Sequence, residues 1–360
     1  MIHLTEGNLL TADAQALVNT VNTQGVMGKG IALQFKKAWP DMYKAYQKAC
    51  KRGEIRIGQM YVYETPSMLN PRFIINFPTK TDWRKPSKLD YIDQGLQALV
   101  DEIKARGIES IAIPPLGCGL GGLPWEQVLP RIEQALSQVP DVEAWIYEPK
   151  GSPVPEQMLN QTPKPPLTLS RALVLKLFHQ YQALGYELTL LEAQKLLYFF
   201  QEAGEPLKLR FAKRHYGPYA DNLRHVLHAF EGHYTEGFGD GRNQPETLLK
   251  LMPGTIQEVE NFLAHELKPA PPSAARLQRV EALIEGFESP YGLELLASVH
   301  WLVTQEQLPL TLEAILNGIQ TWSERKALLM KPRHLTDALE RLSELNWFQP
   351  TASNAPIATA

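Results

Sequence analysis

Three short segments of this 360-residue sequence carry residues whose type and spacing suit them to chemistry on an anion. The first is Gly25-Val26-Met27-Gly28-Lys29-Gly30, running into a helix that opens at Ile31 and continues through Ala32 and Leu33. The second is Gly117-Cys118-Gly119-Leu120-Gly121-Gly122, also followed by a helix. Glycine has no Cβ, so backbone N–H groups can converge on a bound anion, and a helix N-terminus adds the positive end of its dipole. One glycine-rich loop alone reads as a tight turn. Two of them at one sheet edge could hold a pyrophosphate between them. Neither is a P-loop, since no Gly-Lys-Ser/Thr follows, and no GxGxxG follows the first strand. The third segment is Asn76-Phe77-Pro78-Thr79-Lys80, where a proline closes an apolar strand and leaves Lys80 at the ligand-bearing edge. A lysine there can serve as a nucleophile when neutral, or as a proton and hydrogen-bond donor when charged.

The elements that must position these residues follow from periodicity. Residues 16–22, 60–64, 72–77, 108–114 and 142–147 read as short apolar strands. Residues 31–37, 40–52 and 125–139 read as helices between them. Another helix has Leu89, Ile92, Leu96, Leu99 and Ile103 on one face, with Ser87 as an expected N-cap, Asp90 completing a capping box, and Gly107 as the stop. Such alternation implies an α/β fold with helices on both faces of a mixed sheet, where ligands sit at the carboxyl ends of the strands. Six prolines between 149 and 166 mark a linker over 150–167. Beyond it the pattern turns mainly α-helical, over 168–350, with 351–360 as a tail. The expected domains are therefore 1–149 and 168–350.

Composition narrows the function classes. The chain has 36 Lys+Arg against 39 Asp+Glu, a net charge of −3, so any nucleic-acid contact is a local patch rather than a coat. No apolar run reaches membrane-spanning length, which predicts no membrane partner. The two cysteines, Cys50 and Cys118, have neither pairing nor metal spacing, and the histidines form no ligand pattern. We expect no metal, no cofactor and a cytoplasmic location.

Taken together, Gly7-Asn8-Leu9-Leu10, Leu17-Val18-Asn19-Thr20-Val21-Asn22, Met27 to Lys36 and Pro115 to Leu120 resemble a macrodomain. More narrowly they resemble the branch containing DNA ADP-ribosyl glycohydrolase antitoxins of the DarT–DarG type. The resemblance implies that Asn8, with Leu9 beside it, meets adenine, and that Thr20, Val21 and Asn22 flank the distal ribose. It implies that Gly28, Gly30 to Leu33 and Gly117 to Gly121 clasp the pyrophosphate, with Thr79 next to the catalytic residue Lys80, and that Asn22 orients the ribose hydroxyls. Cleavage at the anomeric carbon passes through an oxocarbenium-like state. A nearby diphosphate favours charged Lys80, hence donation to the departing group. Two positions depart from the family pattern. Asn8 stands where aspartate is usual, and Gly121 stands where eukaryotic relatives of this branch carry an aspartate, so no carboxylate base is expected there.

The implied substrate is ADP-ribosylated single-stranded DNA. Lys36, Lys37, Lys44, Lys48, Lys51 and Arg52 after the first loop, and Arg84, Lys85 and Lys88 after Lys80, could meet its phosphates, with Trp83 as a stacking surface. In the helical half, residues 188–222 are loosely similar to a SocA-like antitoxin domain, which implies binding of a cognate ADP-ribosyltransferase toxin. Residues 253–320 hold nine acidic and three basic side chains, a charge that disfavours DNA binding and would suit a DNA mimic. The alternatives are a non-hydrolytic ADP-ribose reader and a hydrolase of ADP-ribosylated protein or of small ADP-ribose derivatives.

Overall fold

A computed structural model describes residues 1–151, 153–241, 244–266 and 271–349. They form two compact units. The first comprises Met1–Pro163 and a short return segment around Asp240.

In the first unit, strands β1 (Ile2–Thr5), β2 (Ala16–Asn22), β3 (Tyr61–Glu64), β4 (Phe73–Lys80), β5 (Ser110–Ile113) and β6 (Glu143–Tyr147) make one sheet. Its order is β1-β6-β5-β2-β4-β3. All neighbours are parallel except β3 and β4. β2 lies inside the sheet and is buried along nearly its whole length, which explains its unbroken apolar character. Helices α1 (Gly30–Ala38) and α2 (Pro40–Lys51) belong to one core cluster through Phe35, Met42 and Tyr46, which pack with Leu17, Val21 and Ile74. Helices α3 (Leu89–Arg106) and α4 (Trp125–Leu136) belong to the other through Ile92, Leu96, Val128 and Ile132, which pack with Ile75 and Phe77. A Cβ at Gly95 would lie 2.2 Å from the Phe77 ring, so only glycine lets α3 come this close to β4. That contact fixes the strand that ends at Lys80.

Four details differ from the sequence-based expectation. β1 was not foreseen; it is a four-residue edge strand and only alternately half-buried, too short for a period to register. β4 does not stop at Pro78 but runs to Lys80. Its pairing with β3 ends at Asn76, and its register with β2 shifts between Val21 and Asn22, so the missing proline N–H falls at an irregular, half-free edge. Ser87 is not the cap of α3: the N-cap is Lys88, with no side-chain bond, and Ser87 turns to the second glycine loop instead. Finally, residues 155–163 lie on this unit. Asn8 Nδ2 donates to the Gln157 carbonyl (3.0 Å), and the Gln161 N–H donates to the Lys37 carbonyl (2.9 Å).

The second unit contains α5 (Leu169–Ala183), α6 (Leu190–Glu202), α7 (Leu223–Phe230), α8 (Thr255–Glu266), α9 (Pro271–Ile284), α10 (Pro290–Thr304), α11 (Leu312–Trp322), α12 (Glu324–Leu329) and α13 (Pro332–Glu344). Two small antiparallel pairs accompany them: β7 (Phe211–Arg214) with β8 (Gly217–Ala220), and β9 (Thr235–Glu236) with β10 (Lys250–Leu251). Helix α7 begins only at Leu223, because Gly217 takes a positive φ of 95° and turns the chain into the β7–β8 hairpin before it. Leu196, Phe199, Phe200, Leu296 and Val299 are central to its core. Glu294 is buried on α10, where it accepts two bonds from Arg325 (2.8 and 3.1 Å) and one from buried Lys326. Among the described residues, no helix is long and apolar enough to cross a membrane.

Candidate active site

The carboxyl ends of β2 and β4 and the loop after β5 are tied together at Lys80. The Lys80 carbonyl accepts the Thr23 N–H (3.1 Å), and Thr23 Oγ1 donates to the Thr81 carbonyl (2.9 Å). Lys80 Nζ donates across to the Leu120 carbonyl at 2.5 Å. The lysine and the two glycine loops, distant in sequence, therefore meet at one sheet edge, with Lys80 lying 40 residues before its partner Leu120. The side chain is half-buried, and this burial holds its pKa below the ordinary lysine value. Thr79 beside it is buried and inward-facing, with Oγ1 3.4 Å from the Val21 carbonyl.

The first loop is held by Asn22. Its Oδ1 accepts the N–H groups of Gln24 (2.9 Å) and Val26 (3.3 Å), and its Nδ2 donates to the Val26 carbonyl (2.6 Å). The Tyr46 hydroxyl donates to its backbone carbonyl. The amide that sequence reasoning assigned to the ribose is thus engaged in shaping the loop. Val21, Leu9 and Leu33 are buried and offer a ligand mainly backbone, whereas Thr20, Ile31 and Ala32 are partly open. At the start of α1 the N-cap Lys29 is extended and makes no side-chain cap. Donors at such an end are available to an external acceptor. The Gly30 N–H is taken by the Asp240 carbonyl (3.0 Å), and the Asp240 carboxylate accepts from Gln34 Nε2 (3.0 Å). A Cβ at Gly28 would meet only Val26 Cγ1 at 3.8 Å, so packing does not require glycine there.

The second loop is tightly wound. The Leu123 N–H donates to the Gly117 carbonyl (3.1 Å) and the Gly122 N–H to the Gly119 carbonyl (3.2 Å). Gly117 has φ +72°, a left-handed conformation natural to glycine. A side chain at Gly121 would collide with the loop that carries it. Its Cβ would fall 2.1 Å from the Gly117 carbonyl oxygen and 2.4 Å from Ser87 Oγ, inside the loop itself. The Ser87 N–H donates to the Gly121 carbonyl (2.9 Å), which makes Ser87 a brace for this turn. Burial, with Glu126 nearby, pushes the Cys118 thiol up to about 11, so it stays protonated at neutral pH and is a poor nucleophile.

Asn8, the expected adenine contact, caps a short turn through Oδ1, which accepts the Leu10 N–H (3.1 Å). A carbonyl oxygen has a second lone pair for an adenine amino group. Sequence reasoning missed Ser87, Gln157 and Asp240. Ser87 looked like a helix cap, and nothing in the sequence marks a residue at 240 as a neighbour of residue 30. Val26, Trp83 and Leu120 are exposed apolar side chains around Lys80. Among the described residues, no group of histidine, cysteine and carboxylate side chains is placed to hold a metal ion.

A mixed six-stranded sheet between helix layers, with two glycine-rich loops at its carboxyl edge, defines a macrodomain, and residues 18–132 match the Macro domain family. The resemblance extends well past that domain. The chain is 48% identical to the DNA ADP-ribosyl glycohydrolase of Thermus aquaticus, over 97% of this chain and 95% of the relative. It is 44% identical to that of Mycobacterium tuberculosis, over 95% and 99% respectively. The solved macrodomain of Mycobacterium tuberculosis DarG is 58% identical over 42% of this chain and 99% of its own, with a TM-score of 0.41. The chain belongs to the DNA ADP-ribosyl glycohydrolase family.

Proposed function

We propose that residues 1–149 bind ADP-ribose linked to a nucleobase of single-stranded DNA and hydrolyse the glycosidic bond. The carrying observation is Lys80 Nζ, held at the junction of the two glycine loops by the Leu120 carbonyl. With a pyrophosphate between the loops, the ribose it bears reaches toward this ammonium. As the anomeric carbon–base bond breaks, negative charge grows on the departing base, and charged Lys80 stabilises it by a hydrogen bond or by proton transfer. Water then adds to the anomeric carbon, and the proton it sheds restores Lys80, or goes to the base if that left as an anion. Asn22 acts as a positioning residue through the loop it organises. Gly28, Ile31, Ala32 and Leu33, with Gly117 to Gly121, present backbone to the pyrophosphate, and Gly30, its own N–H held by the Asp240 carbonyl, lets the chain approach closely, while Asn8 and Leu9 face adenine and Thr20, Val21 and Thr79 line the ribose end. The reaction needs no metal or cofactor.

We assign the second unit, from about residue 168, to binding a cognate ADP-ribosyltransferase toxin, with the cytoplasm as the place of action. A relative from Thermosipho africanus supports the pairing: it is a DNA ADP-ribosyl transferase–DNA ADP-ribosyl glycohydrolase fusion protein, 36% identical over 44% of this chain.

The test is release of ADP-ribose from an ADP-ribosylated oligonucleotide. Lys80→Ala should lower kcat by about two orders of magnitude or more while leaving affinity for free ADP-ribose within a few-fold. Because burial lowers the lysine pKa in the free protein and the charged form is required, kcat/KM should fall with rising pH earlier than an ordinary lysine would dictate. Turnover by Lys80→Ala within a few-fold of the parent would leave only a reader of ADP-ribose.

A further inference from the structure

Immediately beyond Lys80 the chain forms a tight turn in which the Lys85 N–H donates to the Asp82 carbonyl (3.1 Å). The Asp82 carboxylate takes the Arg84 N–H (2.9 Å) and both edges of the Arg84 guanidinium, from Nε (3.2 Å) and from a terminal nitrogen (3.1 Å). That fork lays the guanidinium over the Trp83 indole, 5.3 Å from the ring centre. Despite this partner, Trp83 is 48% exposed, unusual for the largest apolar side chain unless something covers it. Exposed Lys85 and Lys88 follow, and Asp82, spent on Arg84, is the single acidic residue between 80 and 89.

We propose that the Trp83–Arg84 pair is a stacking platform for a nucleobase adjoining the ADP-ribosylated nucleotide. An indole and a guanidinium plane both stack on any base, and neighbouring lysines meet backbone phosphates. The carboxylate fork fixes the pair before DNA arrives, so little side-chain entropy remains to be lost on binding. Three residues span at most about 10 Å, so the base engaged is an immediate neighbour of the one at Lys80. Stacking is tolerant of base identity, so the platform selects a strand over a mononucleoside rather than one sequence over another.

This inference rests on the DNA reading above, and two measurements separate them. The first compares KM for an ADP-ribosylated five-nucleotide strand with KM for the corresponding ADP-ribosylated mononucleoside. Trp83→Ala should raise the strand's KM about tenfold and narrow its advantage over the mononucleoside, and Trp83→Phe should restore most of it. The second is binding of an unmodified five-nucleotide strand, read by fluorescence anisotropy, which requires no turnover. Trp83→Ala should weaken it several-fold, and Asp82→Asn less so. A strand KM and a strand affinity within twofold of the parent would overturn the platform. A parent that releases no ADP-ribose from either substrate would overturn the hydrolase reading, while the anisotropy still decides the platform.

Discussion

Replacing Gly121 by alanine is the smallest change that tests how the second loop is built. The added Cβ would stand 2.1 Å from the Gly117 carbonyl oxygen and 2.4 Å from Ser87 Oγ, where real Cβ atoms keep at least 3.0 Å. Ser87 can turn its hydroxyl away, but the Gly117 carbonyl is backbone and accepts the Leu123 N–H. The loop must therefore move by about 1 Å. Overpacking of this size costs about 1–3 kcal/mol of stability. The same movement displaces the Leu120 carbonyl from Lys80, and a 1 Å misplacement can lower turnover by about a hundredfold. Thermal unfolding and ADP-ribose release, measured on one preparation, should thus both fall. Adding Ser87→Gly removes only the softer clash and should recover a minor part. Gly28→Ala is the control for stability, because its Cβ meets nothing nearer than 3.8 Å, and its melting should be unchanged. If Gly121→Ala melts and turns over like the parent, the account of this turn is wrong.

Three further outcomes follow from buried groups. His300 is fully enclosed, with Nε2 3.0 Å from the Trp347 carbonyl and Nδ1 2.7 Å from the Tyr198 hydroxyl, and burial lowers its pKa to about 4. The unfolded chain takes up its proton first, so stability of the second unit should begin to fall below about pH 6.5 and lose about 3 kcal/mol by pH 4; urea midpoints at several pH values check this, and His300→Phe should flatten the curve. Glu294→Ala leaves Lys326 buried without its carboxylate and should destabilise the second unit by about 3–5 kcal/mol, read by denaturant unfolding. Cys118, its thiol held up at about 11, should be alkylated much more slowly than a free cysteine at pH 8, and Cys118→Ser should remain able to bind ADP-ribose in calorimetry.

Much of the sheet was legible because its strands announce themselves locally. The apolar run at 16–22 and the helical period from Leu89 to Ile103 each carry their signal within a few turns of chain. Both loops and Lys80 were legible for a related reason, since strand ends in such sheets share one edge. What stayed hidden depends on partners far away in sequence. The short edge strand Ile2–Thr5 is defined by pairing with Glu143–Tyr147, and β4 passes through Pro78 because of where β3 stops. Ser87 satisfies the local grammar of a helix cap, yet its place is set by Gly117 and Gly121, thirty residues on. Asn22 stands out in the sequence at a strand end, but only the geometry shows its amide closing the loop rather than standing free. The hairpin at 211–220 lies in a half whose pattern is mainly helical, and a positive-φ glycine, Gly217, helps make its turn.

The crowded turn at Gly121 also bears on descent. A single substitution at this position cannot introduce a carboxylate without displacing the loop that holds Lys80. Any side chain here collides first with the Gly117 carbonyl, so a one-step variant would lose the loop geometry before its new group could contribute. Change at Gly121 is therefore tied to change at Ser87 and Gly117, whose atoms its Cβ would meet. Architecture thus holds glycine at this position, and the three residues can change only together.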